Sequence, residues 1–143
     1  MKAIEDIQKE VVEEFAFFDD WMSKYEYIID LGKNLPIIDE DKKTEDYRIK
    51  GCQSQVWLDA SLDDQGQVVF KADSDAVITK GIISLLIRVL SGHKPEDIAK
   101  ADLHFIEEIG LREHLSPTRS NGLLSMVKKM KTYGVAFDRQ TKS

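Results

Sequence analysis

The only thiol of the chain, Cys52, stands in the run Gly51-Cys52-Gln53-Ser54-Gln55, beside a glycine and among short polar side chains. No apolar periodicity runs through this stretch, so it reads as an exposed loop carrying a nucleophile. A glycine before the thiol permits backbone angles and close approaches that a Cβ would obstruct. Access is what a sulfur needs if another protein's active site must reach it. The reactive form is thiolate, and a free cysteine with a pKa of about 8.5 is mostly protonated at neutral pH unless cations or backbone N–H groups favour the anion. Arg48 and Lys50 are the nearest cations in the chain. The plainer reading is a small buried hydrophobe, as lone cysteines often are, and the polar neighbours count against it.

Other chemistry is less well supported. His93, His104 and His114 are widely spaced and form neither an HExxH nor a paired Cys/His zinc pattern. A catalytic pair of Cys52 with His114, meeting only in space, has no local support and stays open. Glu13-Glu14, Asp63-Asp64 and Glu107-Glu108 read as solvated charge on helices and turns. No Gly-rich phosphate cradle of the GxGxxG or GxxxxGK[ST] form is present, so no nucleotide cofactor is expected. Arg119, in Ser116-Pro117-Thr118-Arg119-Ser120, lies at a helix start, where a guanidinium could hold an anion or a partner's carboxylate, or simply belong to a capping loop.

The elements that must position these residues are limited by size. The chain has 143 residues, which suits one domain over residues 1–143 with a tail at 138–143 expected to fray. Hydrophobic residues at 42% and charged residues at 32% argue against disorder. A net charge of −6 argues against nucleic-acid binding. The richest apolar run, Ile82 to Leu90, is too short for a bilayer and contains Arg88, and the first residues lack a secretory apolar stretch. With its single cysteine the chain is expected in a reducing compartment, the cytoplasm, away from membranes.

Apolar residues at Ile4, Ile7, Val11, Phe15 and Phe18 predict an amphipathic helix. A second carries Trp21, Tyr25, Ile28 and Ile29, packs on the first and stops at Gly32, a residue able to take the left-handed geometry common after a helix end. Residues 34–46 read as a loop with solvated charges. VWLDASL and QVVFKA, split by Asp63-Asp64-Gln65-Gly66, predict a β-hairpin. The preceding YRIK run is expected to be a third strand, with Cys52 on the loop between them. Asp73-Ser74-Asp75 should cap a central buried helix, AVITKGIISLLIRVL. Shorter helices follow from Pro95 and from Leu103 to Ile109, and a last one from Ser116-Pro117. The class is α+β, with a small antiparallel sheet of about three strands among several helices.

With these residues in place, the chain resembles the SufE family of sulfur-acceptor proteins in iron–sulfur cluster assembly. RIKGCQSQVW, from Arg48 to Trp57, carries the family's Gly-Cys-Gln-Ser-x-Val-Trp signature complete. ADSDAVITKGII, from Ala72, is similar to its GDSDA stretch, and HLSPTRSNGL, from His114 to Leu123, to its HLTPSRSQGL. The departures are Ala72 for glycine and exchanges of hydroxyl or amide type at Ser116, Thr118 and Asn121.

The resemblance implies a fold similar to that of IscU-type scaffolds, and a Cys52 that accepts persulfide sulfur from a pyridoxal-phosphate cysteine desulfurase of SufS type. It implies that the chain stimulates that enzyme and passes the sulfur to a scaffold complex of SufBCD type. The pyridoxal phosphate belongs to the partner, and no cofactor is expected here. Gly51, Gln53 and Ser54 would support the loop, with Asp75 and Arg119 near it or on the partner surface; a homodimer is left open. One thiolate cannot hold a cluster without other ligands, which favours relay over scaffold. The alternatives are a non-catalytic adaptor of the desulfurase and a thiol redox sensor.

Overall fold

The computed structural model describes residues 2–142. The helix-forming periodicity of the first residues gives α1 (Ile4–Phe15), with Val11 and Phe15 buried. It ends before Phe18 because the chain tightens into a turn there, Phe17 N–H donating to Glu14 O and Phe18 N–H to Phe15 O. Phe18 still packs, its ring 6.4 Å from Phe15 and 5.0 Å from Tyr27. α2 (Trp21–Leu31) starts where the Asp20 carboxylate accepts from Ser23 N–H at 2.7 Å. The two helices meet at Phe15 and Tyr27, whose rings lie 5.3 Å apart.

Gly32 departs from the expected left-handed cap: its φ is −62°. Space is what demands glycine there, since a Cβ would stand 2.9 Å from the Gly81 backbone nitrogen. Gly81 lies on α3 (Val77–Leu90), the central helix, ten of whose fourteen residues are buried. Backbones of α2 and α3 thus approach more closely than side chains would allow.

β1 (Val56–Leu62) and β2 (Val68–Ser74) form the expected hairpin, Val56 opposite Ser74 and Leu62 opposite Val68. The turn closes on the Asp63 carboxylate, which accepts from Gln65 and Gln67 N–H, with Gly66 at φ +76°. Val56, Leu58, Val68, Phe70 and Ala72 fill the core beneath it.

The fold is α+β, as expected, but the sheet has two strands among the described residues, not three. The YRIK run makes one antiparallel bridge, Arg48 to Trp57, with Ile49 N–H on Val56 O at 2.8 Å and Leu58 N–H on Tyr47 O at 2.9 Å. Gly51 turns the chain away at φ +91°, so the pairing stops there. On the other edge, Ala72 bridges Ile37 through Ile38 N–H to Ala72 O and Ala72 N–H to Pro36 O.

The charged 34–46 stretch is also more than a solvated loop. Lys42 pairs with Asp59 at 3.0 Å and Lys43 with the largely buried Asp73 at 2.6 Å, which Lys80 of α3 meets at 3.3 Å. Lys42 and Lys43 pin the loop to the outer side of the hairpin.

Beyond α3, α4 (Pro95–Lys100), α5 (Phe105–Glu108) and α6 (Leu111–His114) lead to the long α7 (Pro117–Lys142). Pro95 opens α4 as expected, and Gly110, at φ +76°, turns the chain from α5 into α6. α7 lies across α4, close enough that a Cβ on Gly134 would stand 3.0 Å from the Ala99 backbone nitrogen. It runs to Lys142, which pairs with Asp138 at 3.3 Å; Ser143, the end of the tail expected to fray over 138–143, lies outside the described residues. Buried Gln8 ties α1 to the α4–α5 connection, donating to Asp102 O and accepting from Phe105 N–H, both at 3.0 Å.

Candidate functional site

Cys52 sits on the loop between the Arg48 bridge and β1, half-buried. Two glycines shape its surroundings. Gly51 holds a left-handed φ of +91°, and a Cβ there would meet Ser125 Oγ at 2.6 Å, so the loop turns hard against α7. Gly122 of α7 faces the cysteine: Cys52 Sγ donates to its carbonyl at 3.6 Å and would lie 3.5 Å from a Cβ placed on it.

Asp75, expected to help cap α3, does something else. The residue before α3 is Ala76, which has no side-chain cap; its N–H instead finds Ser74 Oγ at 3.2 Å. The Asp75 carboxylate accepts from Gln55 N–H at 3.0 Å, and Asp75 N–H donates to Gln55 O at 3.2 Å. Asp75 therefore closes the far end of the cysteine loop, where β1 begins. Asp75→Ala removes one half of this clasp, and hydrogen exchange at Gln55 N–H is expected to quicken while Asp75→Asn, which keeps the acceptor oxygen, leaves it protected.

Sγ opens on a small cavity of about 70 Å³. Cys52, Gln53 and Ser54 form one wall, Thr79 and Ile82 of α3 another, and Thr118, Arg119, Gly122 and Met126 of α7 the third. That is room for roughly two waters, and hence for one more sulfur atom on Cys52. Sequence reasoning named Gly51, Cys52, Gln53, Ser54 and Arg119, and the fold brings all of them to one place. It missed Thr79, Ile82 and Met126, which carry no signal beyond ordinary helix periodicity.

His114 does not line this cavity. Its ring stacks on Trp21 at 4.6 Å and its Nδ1 donates to Gly110 O at 2.9 Å. His93 is buried between the carbonyls of Leu90 and Lys2, and His104 sits between Glu5 and Glu108. All three histidines have structural neighbours, as expected of ordinary surface and core residues. Among the described residues no three His, Cys, Asp or Glu side chains gather as a metal cage.

Burial pushes the Cys52 thiol up, and the Arg48 guanidinium pulls it part of the way back. In the chain alone the thiol is therefore mostly neutral at pH 7. The expected alkylation profile with iodoacetamide has its midpoint above that of a free cysteine, and Arg48→Ala moves it higher still. A midpoint below the free value would contradict this assignment. The same shift favours the folded chain below the ordinary thiol pKa, a contribution lost as pH rises through the raised value.

Comparisons with known proteins point to one family and one fold. A family model described as "SufE: Fe-S metabolism associated domain" matches residues 9–134. A SufE-like protein of Rhizobium meliloti is 38% identical over 127 residues, covering 86% of this chain and 91% of that protein. One from Synechocystis is 39% identical over 127 residues, covering 89% and 79%. "SufE-like protein 1, chloroplastic/mitochondrial" of Arabidopsis thaliana is 42% identical over 122 residues, 85% of this chain but 33% of that longer protein. A solution structure of a hypothetical protein from Thermus thermophilus has the same fold, with a TM-score of 0.75 over 92% of this chain and 95% of that one, at 20% identity. No helix among the described residues is long and apolar enough to cross a membrane.

Proposed function

The chain belongs to the SufE family, and from that premise we propose that Cys52 is a covalent sulfur relay in iron–sulfur metabolism. The Cys52 thiolate attacks the outer sulfur of a persulfide on the active-site cysteine of a partner. The new S–S bond forms on Cys52, the old one breaks, and the partner's cysteine leaves as thiolate, so no external oxidant or reductant is consumed. The partner of this reading is a pyridoxal-phosphate cysteine desulfurase of SufS type, which the chain stimulates by taking its product. A scaffold complex of SufBCD type then receives the sulfur. The single cysteine supports a reducing compartment, with the cytoplasm as the proposed location; the plant relative's name points to organelles for that protein.

The observation that carries this reading is the cavity beside Sγ, which has room for one added sulfur and opens at the edge of the molecule. Thiol burial speaks against a redox sensor, because a neutral, half-covered thiol oxidises slowly. It suits a relay whose thiol becomes reactive when a partner moves the loop. The test is intact-mass measurement after incubation with cysteine desulfurase and L-cysteine. One added sulfur on the wild-type chain supports the relay. An unmodified chain that nevertheless stimulates the desulfurase would replace it with the adaptor reading.

A further inference from the structure

Arg119 is held from two sides. Its backbone N–H donates to Ser116 Oγ at 3.3 Å, fixing it in the first turn of α7, and its Nη1 donates to the Tyr25 hydroxyl on α2 at 3.1 Å. Tyr25 is itself braced. Its ring lies edge-on to Trp21 at 6.4 Å, Trp21 stacks on His114 at 4.6 Å, and His114 is tied to Gly110 O. An aromatic ladder thus joins α2 to the segment before α7 and presents one hydroxyl to one guanidinium.

The charge acting on the Cys52 thiol itself comes from Arg48. Arg119 instead lines the cavity onto which the thiol opens, and among the described residues it supplies the only charged side chain of those walls. The rest is amide, hydroxyl or apolar, with no carboxylate. An added sulfur would stand about 2 Å beyond Sγ, within that cavity, and the outer sulfur bears the negative charge of a deprotonated persulfide. The two cations therefore divide the work, Arg48 serving the thiol and Arg119 the persulfide.

We propose that Tyr25 is a positioning residue that holds the Arg119 guanidinium in place for the outer sulfur of a Cys52 persulfide, an inference resting on the relay reading above. Without the hydroxyl, a long side chain regains its rotamers and the charge spreads away from the cavity. The thiol stage, set by burial with Arg48 opposing it, is untouched.

The experiment loads Cys52 from cysteine persulfide, a small donor that needs no protein partner, and checks one added sulfur by intact mass. Alkylation is then followed against pH for the free thiol and for the loaded persulfide, in wild type, Tyr25→Phe, Arg119→Gln and the double variant. Tyr25→Phe keeps the ring and its packing. Its expected profile leaves the thiol midpoint unchanged and moves the persulfide midpoint up by about half a pH unit. Arg119→Gln moves the persulfide midpoint at least as far, and adding Tyr25→Phe to it moves nothing more. An unchanged persulfide midpoint in Tyr25→Phe, an equal shift of both midpoints, or additive shifts in the double variant would each overturn the inference. Where the small donor alone does not load Cys52, desulfurase with L-cysteine does the loading; a wild-type chain that takes sulfur from neither source brings down the relay reading and this inference with it.

Discussion

Cys52→Ser is expected to reduce desulfurase stimulation to the rate without the chain and to leave no added sulfur by mass. A serine hydroxyl at the same place cannot form a persulfide and is a poor nucleophile at neutral pH without a positioned base, and no histidine among the described residues lines this cavity. The fold should barely notice. Cys52 is half-buried, its one polar contact is a long S–H bond to Gly122 O at 3.6 Å, and serine can donate to the same carbonyl. Stability measured by urea unfolding is expected within about 1 kcal/mol of wild type. This combination, full loss with an intact fold, separates a reacting atom from a structural one. Stimulation retained in full by Cys52→Ser would transfer the activity to docking alone.

Of the Gly→Ala changes, Gly81→Ala is expected to cost the most stability. Alanine is the better helix former by about 1 kcal/mol, so propensity alone favours the change. Packing reverses the sign. The added Cβ would stand 2.6 Å from the Ile28 carbonyl carbon and 2.7 Å from Ile28 Cγ2, and closer still to the carbonyl oxygen. The two nearest of these atoms are backbone of α2, so α2 and α3 must separate. Gly32, whose own Cβ position is closed by Gly81, marks the other side of the same close approach. Overpacking of this kind typically costs up to about 3 kcal/mol, which for a chain of this size lowers Tm by roughly 10 °C. Gly66→Ala is the informative comparison. Nothing lies within 4 Å of that position, so only its left-handed φ of +76° opposes the methyl group. A Gly81→Ala chain as stable as wild type would mean that α2 and α3 are not so closely packed.

Much of this architecture is legible in the residues, and what is not has physical reasons. The alternation in VWLDASL and the Asp63-to-Gly66 turn announce the hairpin because register and turn chemistry are local. Cys52 among short polar residues announces a loop for the same reason. The third strand does not form because its run is four residues long and Gly51 diverts it. Gly32 misleads because a glycine before a break in periodicity looks like a cap, whereas the true constraint, the approach of Gly81, lies far along the chain. Asp75 looks like a helix cap from its neighbours alone, and its partner Gln55 is distant in sequence. The same holds for Lys42 and Lys43, whose carboxylates sit on the hairpin. Tyr25 belongs to an ordinary amphipathic face, and nothing local marks its hydroxyl as the partner of Arg119. Local chemistry is visible in a sequence; pairings made by tertiary contact are not.

The account stands on sulfur passing through one side chain. The most direct measurement loads the chain with isotope-labelled sulfur at Cys52, removes the donor, adds iron and scaffold complex, and follows the label. The expected result is label leaving Cys52 and appearing in the assembled cluster at matching rates, with no transfer from a Cys52→Ser chain carried through the same steps. Label that stays on Cys52 while clusters form from another sulfur source would contradict it.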